Sequence, residues 1–308
     1  MLIAEEYLGP VGVGITAPRY FCADDGKIYV VKLQNNRLGP TVLASELLAA
    51  KFGAFMGLCF PNSGMIEISE ELLEKQPELV AAGVTAGRHF ASQYLDNAEY
   101  LQKDNLEKAV NIAEMAGVIL FDHMFHNADR SGNKKNLLLR REGDVFKIYA
   151  IDNSHLFRAG RWTANSLKRL CRSMKVYYPR TFGLMLKDRL YANDFLPYLE
   201  KVKKLSDEEI DNIVREIPVE WLPDEEQRKA LSGFIRTRRD LSEEIWEHLC
   251  RNIPQARGGR RRDHHKIIGL TWNANETGHP RVRRRRLSLG KRRKEVPDDI
   301  SLSTDEVR

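Results

Sequence analysis

The sequence predicts an α+β fold of two lobes followed by a tail. Residues 1–97 contain short alternating apolar runs around turn residues, which are typical of strands, together with helical spacing. Residues 98–253 carry mainly the three- and four-residue apolar spacing of helices. Residues 254–308 are rich in arginine and lysine, so we expect a disordered basic tail. With 308 residues and 42% hydrophobic content, the chain can bury a sizeable core.

The small lobe begins with a hairpin and a helix. Arg19–Ala23 and Lys27–Leu33 flank a turn that ends in Gly26, which predicts two antiparallel strands. Apolar residues then recur at helical spacing from Val42 to Met56, and Gly57 stands where a helix of this kind ends.

The rest of the small lobe follows the same mixture of patterns. Met65–Ile68 predicts a short strand, and Glu70–Ala82 predicts a helix interrupted at Pro77. A further strand is predicted over Arg88–Leu95, where the lobe ends.

The large lobe is predicted to be built around one buried helix and one hairpin. The pattern over Asn105–Phe125 is apolar on most of its circumference, which indicates a largely buried helix. Leu137–Leu139 and Val145–Ile151 then predict a second hairpin. Helices follow to about residue 251, with a capping box over Ser206–Glu209 and an amphipathic run over Leu231–Leu249.

The net charge of +6 is concentrated in the tail. Residues 255–308 carry a net +8, whereas residues 1–254 carry a net −2. A solvated tail is the simplest interpretation, and attraction to nucleic acid, anionic lipid headgroups or an acidic partner is the functional alternative. The stretch RRRRLS also resembles a basophilic phosphorylation site at Ser288.

Other features limit the class of protein. No apolar run approaches the roughly 18–20 residues needed to span a bilayer, and the first residues lack the pattern of a signal peptide. The four cysteines are far apart in sequence, which excludes a thiolate zinc site and indicates reduced thiols. We therefore expect a cytoplasmic protein that is not an integral membrane protein.

Five polar residues occur in an order that suggests phosphoryl transfer. This reaction needs a cation and Mg²⁺ to neutralise the phosphates of ATP, and a carboxylate to position the attacking hydroxyl. Lys32 ends an apolar strand and needs an anionic partner, either phosphate or Glu46 on the next helix. Asp129 follows the buried helix, and the oxygens of Asn136 and Asp152 suit Mg²⁺. Taken singly, Lys32 could be a surface lysine and each aspartate could stabilise a turn.

Two further groups of residues are weaker candidates. Gly12, Gly14 and Thr16 could lay backbone N–H groups against phosphate, although two glycines near a hairpin more often shape a turn. His123 and His126 have no third ligand nearby in sequence, which favours a role at the helix end or in the loop over a zinc site.

The segments HNADRSGNKKNLLL (126–139) and YAIDNSHLF (149–157), with YVVKL (29–33) and LASELLAAKFG (43–53), resemble the HipA-like kinases over residues 10–250. The resemblance implies a bilobal, protein-kinase-like fold in a bacterial enzyme, with a distant relation to phosphoinositide 3-/4-kinases. It also implies that Lys32 contacts ATP phosphates, that Asp129 is the catalytic carboxylate, and that Asn136 and Asp152 hold Mg²⁺. The implied hinge beside the adenine is Phe90–Leu95, which includes Gln93, Tyr94 and Leu95.

The sequence departs from the family pattern in two places. Asn136 lies seven positions after Asp129 instead of the usual five, so Asn133 competes as the metal ligand. We prefer Asn136 because it immediately precedes a predicted strand. After Asp152 the chain reads Asn153-Ser154-His155 where related kinases tend to have a glycine, which leaves the mobility of the loop open.

Two functions remain open at the level of sequence. The first is a Mg·ATP-dependent kinase that phosphorylates a hydroxyl, either a serine or threonine of a protein or a group on a small molecule. The alternative is a nucleotide-binding regulator or pseudokinase whose basic tail binds nucleic acid. Asp129 separates the two, because its carboxylate is needed for turnover and dispensable for binding.

Overall fold

A computed structural model of the chain describes residues 1–176, 186 and 189–252. The predicted tail over 254–308, with Ser288, lies outside these residues. Within the described residues, the mixed α+β prediction is confirmed. No helix there is both long and apolar enough to cross a membrane.

Five strands close a small barrel in the first part of the chain. Their order is β1-β2-β3-β5-β4, with β1 parallel to β4 and the other neighbours antiparallel. The predicted hairpin is confirmed as β2 and β3, and the interior of the barrel is packed with residues such as Phe21, Val31 and Ile66. The strands are β1 (Leu2–Pro10), β2 (Arg19–Ala23), β3 (Ile28–Lys32), β4 (Ser63–Ile68) and β5 (Gly87–Gln93).

Strand β1 was not predicted from the sequence. It carries two adjacent exposed glutamates, and its pairing with β2 is irregular between Ala4 and Glu6 and between Tyr7 and Gly9. These irregularities shift the alternation of buried and exposed side chains by which a strand is recognised.

Three helices accompany the barrel strands: α1 (Thr41–Met56), α2 (Glu70–Glu74) and α3 (Pro77–Ala81). Gly57 ends α1 at φ 70°, where its N–H donates to the carbonyl oxygens of Gly53 and Ala54. Pro77 lies in the first turn of α3, so the predicted interruption is confirmed. One side of α1 packs into the larger core formed with the second part of the chain.

The second part of the chain combines one small sheet with seven helices in its described residues. The predicted second hairpin is confirmed as β7 and β8, and β6 pairs with β7. The strands are β6 (Ala98–Tyr100), β7 (Leu137–Glu142) and β8 (Val145–Ala150). The helices are α4 (Met115–Met124), α5 (Ala128–Gly132), α6 (Ala164–Leu170), α7 (Leu196–Lys204), α8 (Asp207–Arg215), α9 (Glu225–Asp240) and α10 (Ser242–Asn252).

The predicted buried helix is shorter than its pattern. Helix α4 is buried along its whole length, but it begins at Met115, and residues 106–108 and 112–114 form separate 3₁₀ turns. The side chain of Asn111 explains the difference. It accepts a hydrogen bond from the N–H of Ile148 at 2.7 Å and donates to the carbonyl oxygen of Ile148 at 3.1 Å, so this segment lies along β8.

The helices near the end of the described chain largely match their patterns. The capping box of Ser206 and Glu209 is present at the start of α8. The amphipathic run over Leu231–Leu249 is divided between α9 and α10, which meet at Leu241. Arg238 of α9 is buried and donates to the carbonyl oxygens of His123 and Met124, so α9 is tied to the end of α4.

Packing of α4 against α7 depends on Gly117. A Cβ at this position would lie 2.5 Å from the ring of Tyr198 and 2.7 Å from a methyl carbon of Leu58. We expect Gly117→Ala to lower the free energy of unfolding in urea by about 1–3 kcal/mol through overpacking. Gly233→Ala is the matched control, because Gly233 is exposed on α9 and a Cβ there meets no described atom within 4 Å. The control should gain up to about 1 kcal/mol from helix propensity, and similar losses for the two variants would contradict the expectation.

Candidate active site

Lys32 is held between two carboxylates. It is the last residue of β3, and its Nζ donates to Oε1 of Glu46 and, at 2.8 Å, to Oδ1 of Asp152. Glu46 lies on α1 and is buried, whereas the side chain of Asp152 is 36% exposed. Three segments far apart in sequence therefore meet at one ammonium group, and the second carboxylate faces an open space.

The charges in this cluster stabilise one another. Burial alone would lower the pKa of Lys32, but the carboxylates of Asp152 and Glu46 outweigh it and raise that pKa. Burial would likewise raise the pKa of Asp152, but the charge of Lys32 and hydrogen bonds from Ser154 hold it well below its usual range. Lys32 and Asp152 are therefore both charged at neutral pH.

The backbone at Asp152 is in a conformation that non-glycine residues seldom adopt. Asp152 lies two residues after the end of β8 and has φ 60°. Its Oδ1 accepts hydrogen bonds from the backbone N–H of Ser154, at 3.2 Å, and from the hydroxyl of Ser154. This geometry turns the carboxylate away from the strand and towards Lys32. A left-handed aspartate of this kind persists when surrounding bonds favour it.

Asp129 is paired with Asn136. The predicted polar loop contains the short helix α5, on which Asp129 is half-buried, and Nδ2 of Asn136 donates to Oδ2 of Asp129 at 2.7 Å. Asn133, the competing residue, donates to Oδ1 of Asn136 at 3.1 Å, while its own oxygen accepts the N–H of Lys135. The oxygen of Asn133 is thus used within its own turn.

The two pairs lie side by side at the end of the β7–β8 hairpin. The N–H of Ile151 donates to the carbonyl oxygen of Asn136 at 3.0 Å, so Asn136, just before β7, lies beside the segment just after β8 that leads to Asp152. The structure therefore brings Lys32, Glu46, Asp129, Asn136 and Asp152 together.

Arg130 connects these groups and was missed in the sequence. It is fully buried, and its Nε donates to both oxygens of Asp122 on α4, at 3.0 and 3.2 Å. Its Nη1 donates to the carbonyl oxygens of Ile151 and, at 3.4 Å, Asn136, and its Nη2 donates to Oδ1 of Asn153. The only sequence signal for Arg130 was its position directly after Asp129. A polar stretch does not indicate which of its side chains are buried, so the burial of Arg130 could not be predicted.

Asn153 is the first residue of the segment Asn153-Ser154-His155, and it makes two bonds that a glycine could not both make. Its side-chain oxygen accepts from Arg130, and its backbone N–H donates to Oε1 of Glu46 at 3.1 Å. The asparagine therefore links α5 to α1 through the loop that carries Asp152. This structure shows the loop bonded at both sides.

The glycine segment and the hinge lie at the barrel. Gly12 and Gly14 are in the β1–β2 loop with φ of 81° and 98°, and Thr16 there is buried. Gln93 ends β5, so the first part of the predicted hinge is strand, and the N–H of Tyr94 donates to the carbonyl oxygen of Ile28 at 2.8 Å. Leu95 is buried. Among the described residues, no side-chain hydrogen bond joins these segments to the Lys32 cluster.

The two histidines have structural positions. The ring N–H of His123 donates to the carbonyl oxygen of Ile119 at 2.7 Å, and that of His126 to the carbonyl oxygen of Leu170 at 3.0 Å. Burial lowers the pKa of His123 to about 4 and that of His126 to about 3. In the part of the chain that the structure describes, no group of three or more His, Cys, Asp or Glu could hold a metal.

A family model described as HipA-like kinase matches residues 5–253. The chain belongs to the HipA-like kinase family. Phosphoryl transfer is thus the general activity that the family match supports. No curated protein shows significant sequence similarity to this HipA-like kinase.

A solved structure shares its fold. The crystal structure of a Helicobacter pylori proinflammatory kinase, CtkA, has a TM-score of 0.50 at 13% identity, covering 81% of this chain and 97% of CtkA. At this identity the likeness shows the fold alone. More distant are hydra Fam20 with sugar (TM-score 0.43, 12% identity, 84% and 89% covered) and the Golgi casein kinase with Mn/ADP bound (0.42, 9%, 83% and 75%).

Arg130→Met should be strongly destabilising, because it leaves the buried carboxylate of Asp122 without its cation. We expect a loss of roughly 3–5 kcal/mol in the free energy of unfolding, measured by urea denaturation. The double variant Asp122→Asn/Arg130→Met should recover part of that loss, because the buried charge is gone. Lys75→Met, which breaks an exposed ion pair with Glu71, is the control and should change little. A single variant as stable as the double would contradict the expectation.

The buried histidines predict loss of stability in acid. Histidines of the unfolded chain titrate near pH 6.5, whereas His123 and His126 stay neutral in the folded chain down to about pH 4 and about pH 3. Between pH 6.5 and 4 the unfolded chain binds more protons, so the free energy of unfolding falls as the pH is lowered. Burial raises the pKa of Asp122 to about 6, so the folded chain takes up one proton there before the unfolded chain does. This uptake opposes the loss of stability that the histidines cause.

Urea denaturation from pH 7 to pH 4.5 measures this dependence. The variant His123→Gln/His126→Gln should have a flatter profile than the wild type, whatever its stability at pH 7. An unchanged slope in the variant would show that other groups cause the acid loss.

Proposed function

We propose that the chain is an ATP-dependent kinase that uses Mg²⁺ to transfer the γ-phosphoryl group to a hydroxyl, either a serine or threonine of a protein or a group on a small molecule. The observation that carries the proposal is the adjacency of two polar pairs. Nζ of Lys32 lies 2.8 Å from Oδ1 of Asp152, and the Asp129–Asn136 pair is bonded to the same hairpin end. Phosphoryl transfer depends mainly on such positioning and electrostatics.

Lys32 is the residue suited to the phosphates of ATP. Its ammonium is charged and already aimed by Glu46, whose carboxylate is buried and also accepts the N–H of Asn153. A buried lysine held in this way gives up little side-chain freedom when a phosphate arrives. Glu46 is therefore a positioning residue for Lys32.

Asp152 and Asn136 would hold Mg²⁺. They offer one carboxylate and one amide oxygen at neighbouring positions, a donor set that fits a hard cation which takes few protein ligands and fills the rest with phosphate and water. We prefer Asn136 to Asn133 because the N–H of Ile151 donates to the carbonyl oxygen of Asn136, which holds Asn136 beside the segment that carries Asp152. Bound Mg²⁺ would neutralise charge on the phosphates.

Asp129 is suited to orient the acceptor hydroxyl and to accept its proton. The amide of Asn136 holds one of its oxygens at 2.7 Å, which sets the direction of the carboxylate. The side chain is only partly buried, so an acceptor can reach it. A carboxylate that is both positioned and accessible meets the geometric requirement for this role.

The remaining residues that the family resemblance indicates would hold the rest of the nucleotide. Gly12 and Gly14, both in left-handed backbone, and Thr16 would lay the β1–β2 loop over the phosphates. Gln93, Tyr94 and Leu95 would lie beside the adenine, where the barrel passes into the second part of the chain.

Two aspartate substitutions test the assignment. We expect Asp129→Asn to retain Mg·ATP binding and to lower the phosphoryl-transfer rate by about 10²-fold or more, because the carboxylate that orients and deprotonates the acceptor is lost. Asp152→Asn should weaken both binding and transfer, because it removes the metal carboxylate. Titration calorimetry with Mg·ATP and labelled-ATP transfer to proteins of a cell lysate measure the two quantities.

The outcomes separate the two functional classes. ATP turnover unchanged by either substitution would contradict the kinase assignment. ATP binding without any transfer in the wild type would favour the nucleotide-binding regulator. Glu216→Gln is a suitable control, since Glu216 is an exposed carboxylate that pairs with Lys51 outside the site.

A further inference from the structure

The segment that follows the metal loop has an unusual charge. Residues 153–176, here called the cationic segment, contain six lysines and arginines and no aspartate or glutamate. At the average composition of the chain, a stretch of this length would contain about three acidic residues. The rest of residues 1–254 has a small excess of acids, so this positive charge is local.

All six cations are exposed: Arg158, Arg161, Lys168, Arg169, Arg172 and Lys175. Arg161 donates to the backbone carbonyl oxygens of Arg37 and Leu38. Within the described part of the chain, Arg161, Lys168, Arg169 and Arg172 make no ion pair with an aspartate or glutamate. These four residues therefore present positive charge that the described protein does not neutralise.

The cationic segment borders the candidate catalytic carboxylate. The N–H of Arg158 donates to the carbonyl oxygen of His126 at 3.1 Å, and the ring of His126 donates to the carbonyl oxygen of Leu170. His126 precedes Asp129 by three residues, which span at most about 11 Å of chain. A molecule lying on the cationic segment is thus within reach of Asp129.

An apolar groove accompanies these charges. It has a volume of about 390 Å³ and lies between α6 and α9. Its apolar lining is Leu167, Cys171, Ala230 and Phe234, and its charged lining is Lys168, Lys229 and one carboxylate, Glu226. A groove of this kind accepts an aliphatic side chain of a polypeptide.

Nucleic acid fits this surface less well. The two aromatic residues of the cationic segment, Phe157 and Trp162, are 2% and 3% exposed, so neither offers a face for base stacking. Residues 257–294 of the tail are excluded as an occupant by their own positive charge. Six charges spread over 24 residues also exceed what a small molecule could contact.

We propose that the cationic segment binds an acidic stretch of a protein acceptor and presents a nearby serine or threonine to Asp129. The proposal rests on the proposed kinase function for the role of Asp129, and on charge and position for the docking. Electrostatic complementarity of this kind selects a partner and speeds its encounter.

Peptide binding tests the docking without requiring turnover. A fluorescein-labelled serine peptide rich in glutamate, with one leucine, is compared by anisotropy with the same peptide carrying lysine in place of each glutamate. We expect binding of the glutamate peptide to be tighter by about tenfold or more, and to weaken as NaCl is raised from about 50 to about 500 mM.

Neutralising substitutions locate the binding surface. The variant Lys168→Gln/Arg169→Gln/Arg172→Gln should lose about fivefold or more in affinity for the glutamate peptide. The matched control is Lys103→Gln/Lys204→Gln/Arg215→Gln, which removes the same charge from exposed positions elsewhere and should stay within about twofold. Thermal melts of both variants check that they fold.

Three results would overturn the proposal: undetectable or equal binding of the two peptides, equal losses in the two variants, or tighter binding of a single-stranded RNA that competes with the glutamate peptide at this segment.

Mg·ATP binding and labelled-ATP transfer are measured on the same wild-type protein. Charge-selective peptide binding without phosphoryl transfer would contradict the kinase function but support the docking surface. Phosphoryl transfer without charge-selective binding would support the kinase function but contradict the docking surface.

Discussion

The site depends on one buried arginine that cannot lose its charge. Arg130 carries five N–H donors, and a guanidinium inside a protein must find acceptors for them. The acceptors it finds are the carboxylate of Asp122, the backbone oxygens of Asn136 and Ile151, and the side chain of Asn153. Because these belong to the buried helix, the hairpin and the following loop, satisfying Arg130 requires all three to be in place at once.

This requirement explains how strained backbone survives next to Asp152. Asp152, Phe157 and Arg158 all have left-handed φ angles without being glycines, at a cost of roughly 1–3 kcal/mol each. Bonds on both sides offset that cost: Arg130 holds the carbonyl oxygen of Ile151, and Glu46 holds the N–H of Asn153. A glycine at 153 could not make the side-chain bond to Arg130. The asparagine therefore favours a fixed loop over a mobile one.

Sequence patterns predicted the features of the fold that residues close together in the chain determine. The hairpins and the helix ended by Gly57 follow from periodicity and turn residues. The cost of burying a charge indicates an anionic partner for Lys32, which the sequence leaves open between phosphate and Glu46. Strand β1 did not follow, because its irregular pairing hides the alternation. The first half of the predicted Asn105–Phe125 helix failed because the side chain of Asn111 bonds to β8, a partner distant in sequence. Arg130 was missed for the same reason, since its burial depends on four segments that meet only in the fold.

The distribution of charge divides the site into an inner and an outer part. In the inner part, two buried ion pairs join Lys32 to Glu46 and Arg130 to Asp122. Because the charges of each pair cancel, their net electrostatic field is small. Asp129 and Asp152 are partly exposed carboxylates. In the proposed function Asp152, with Asn136, would hold a divalent cation that neutralises incoming phosphates. Outside, the surface turns positive along the cationic segment. An anionic nucleotide would thus depend on a metal to approach the two aspartates, whereas an anionic acceptor would be attracted directly, and the two ligands would be drawn to different parts of one site.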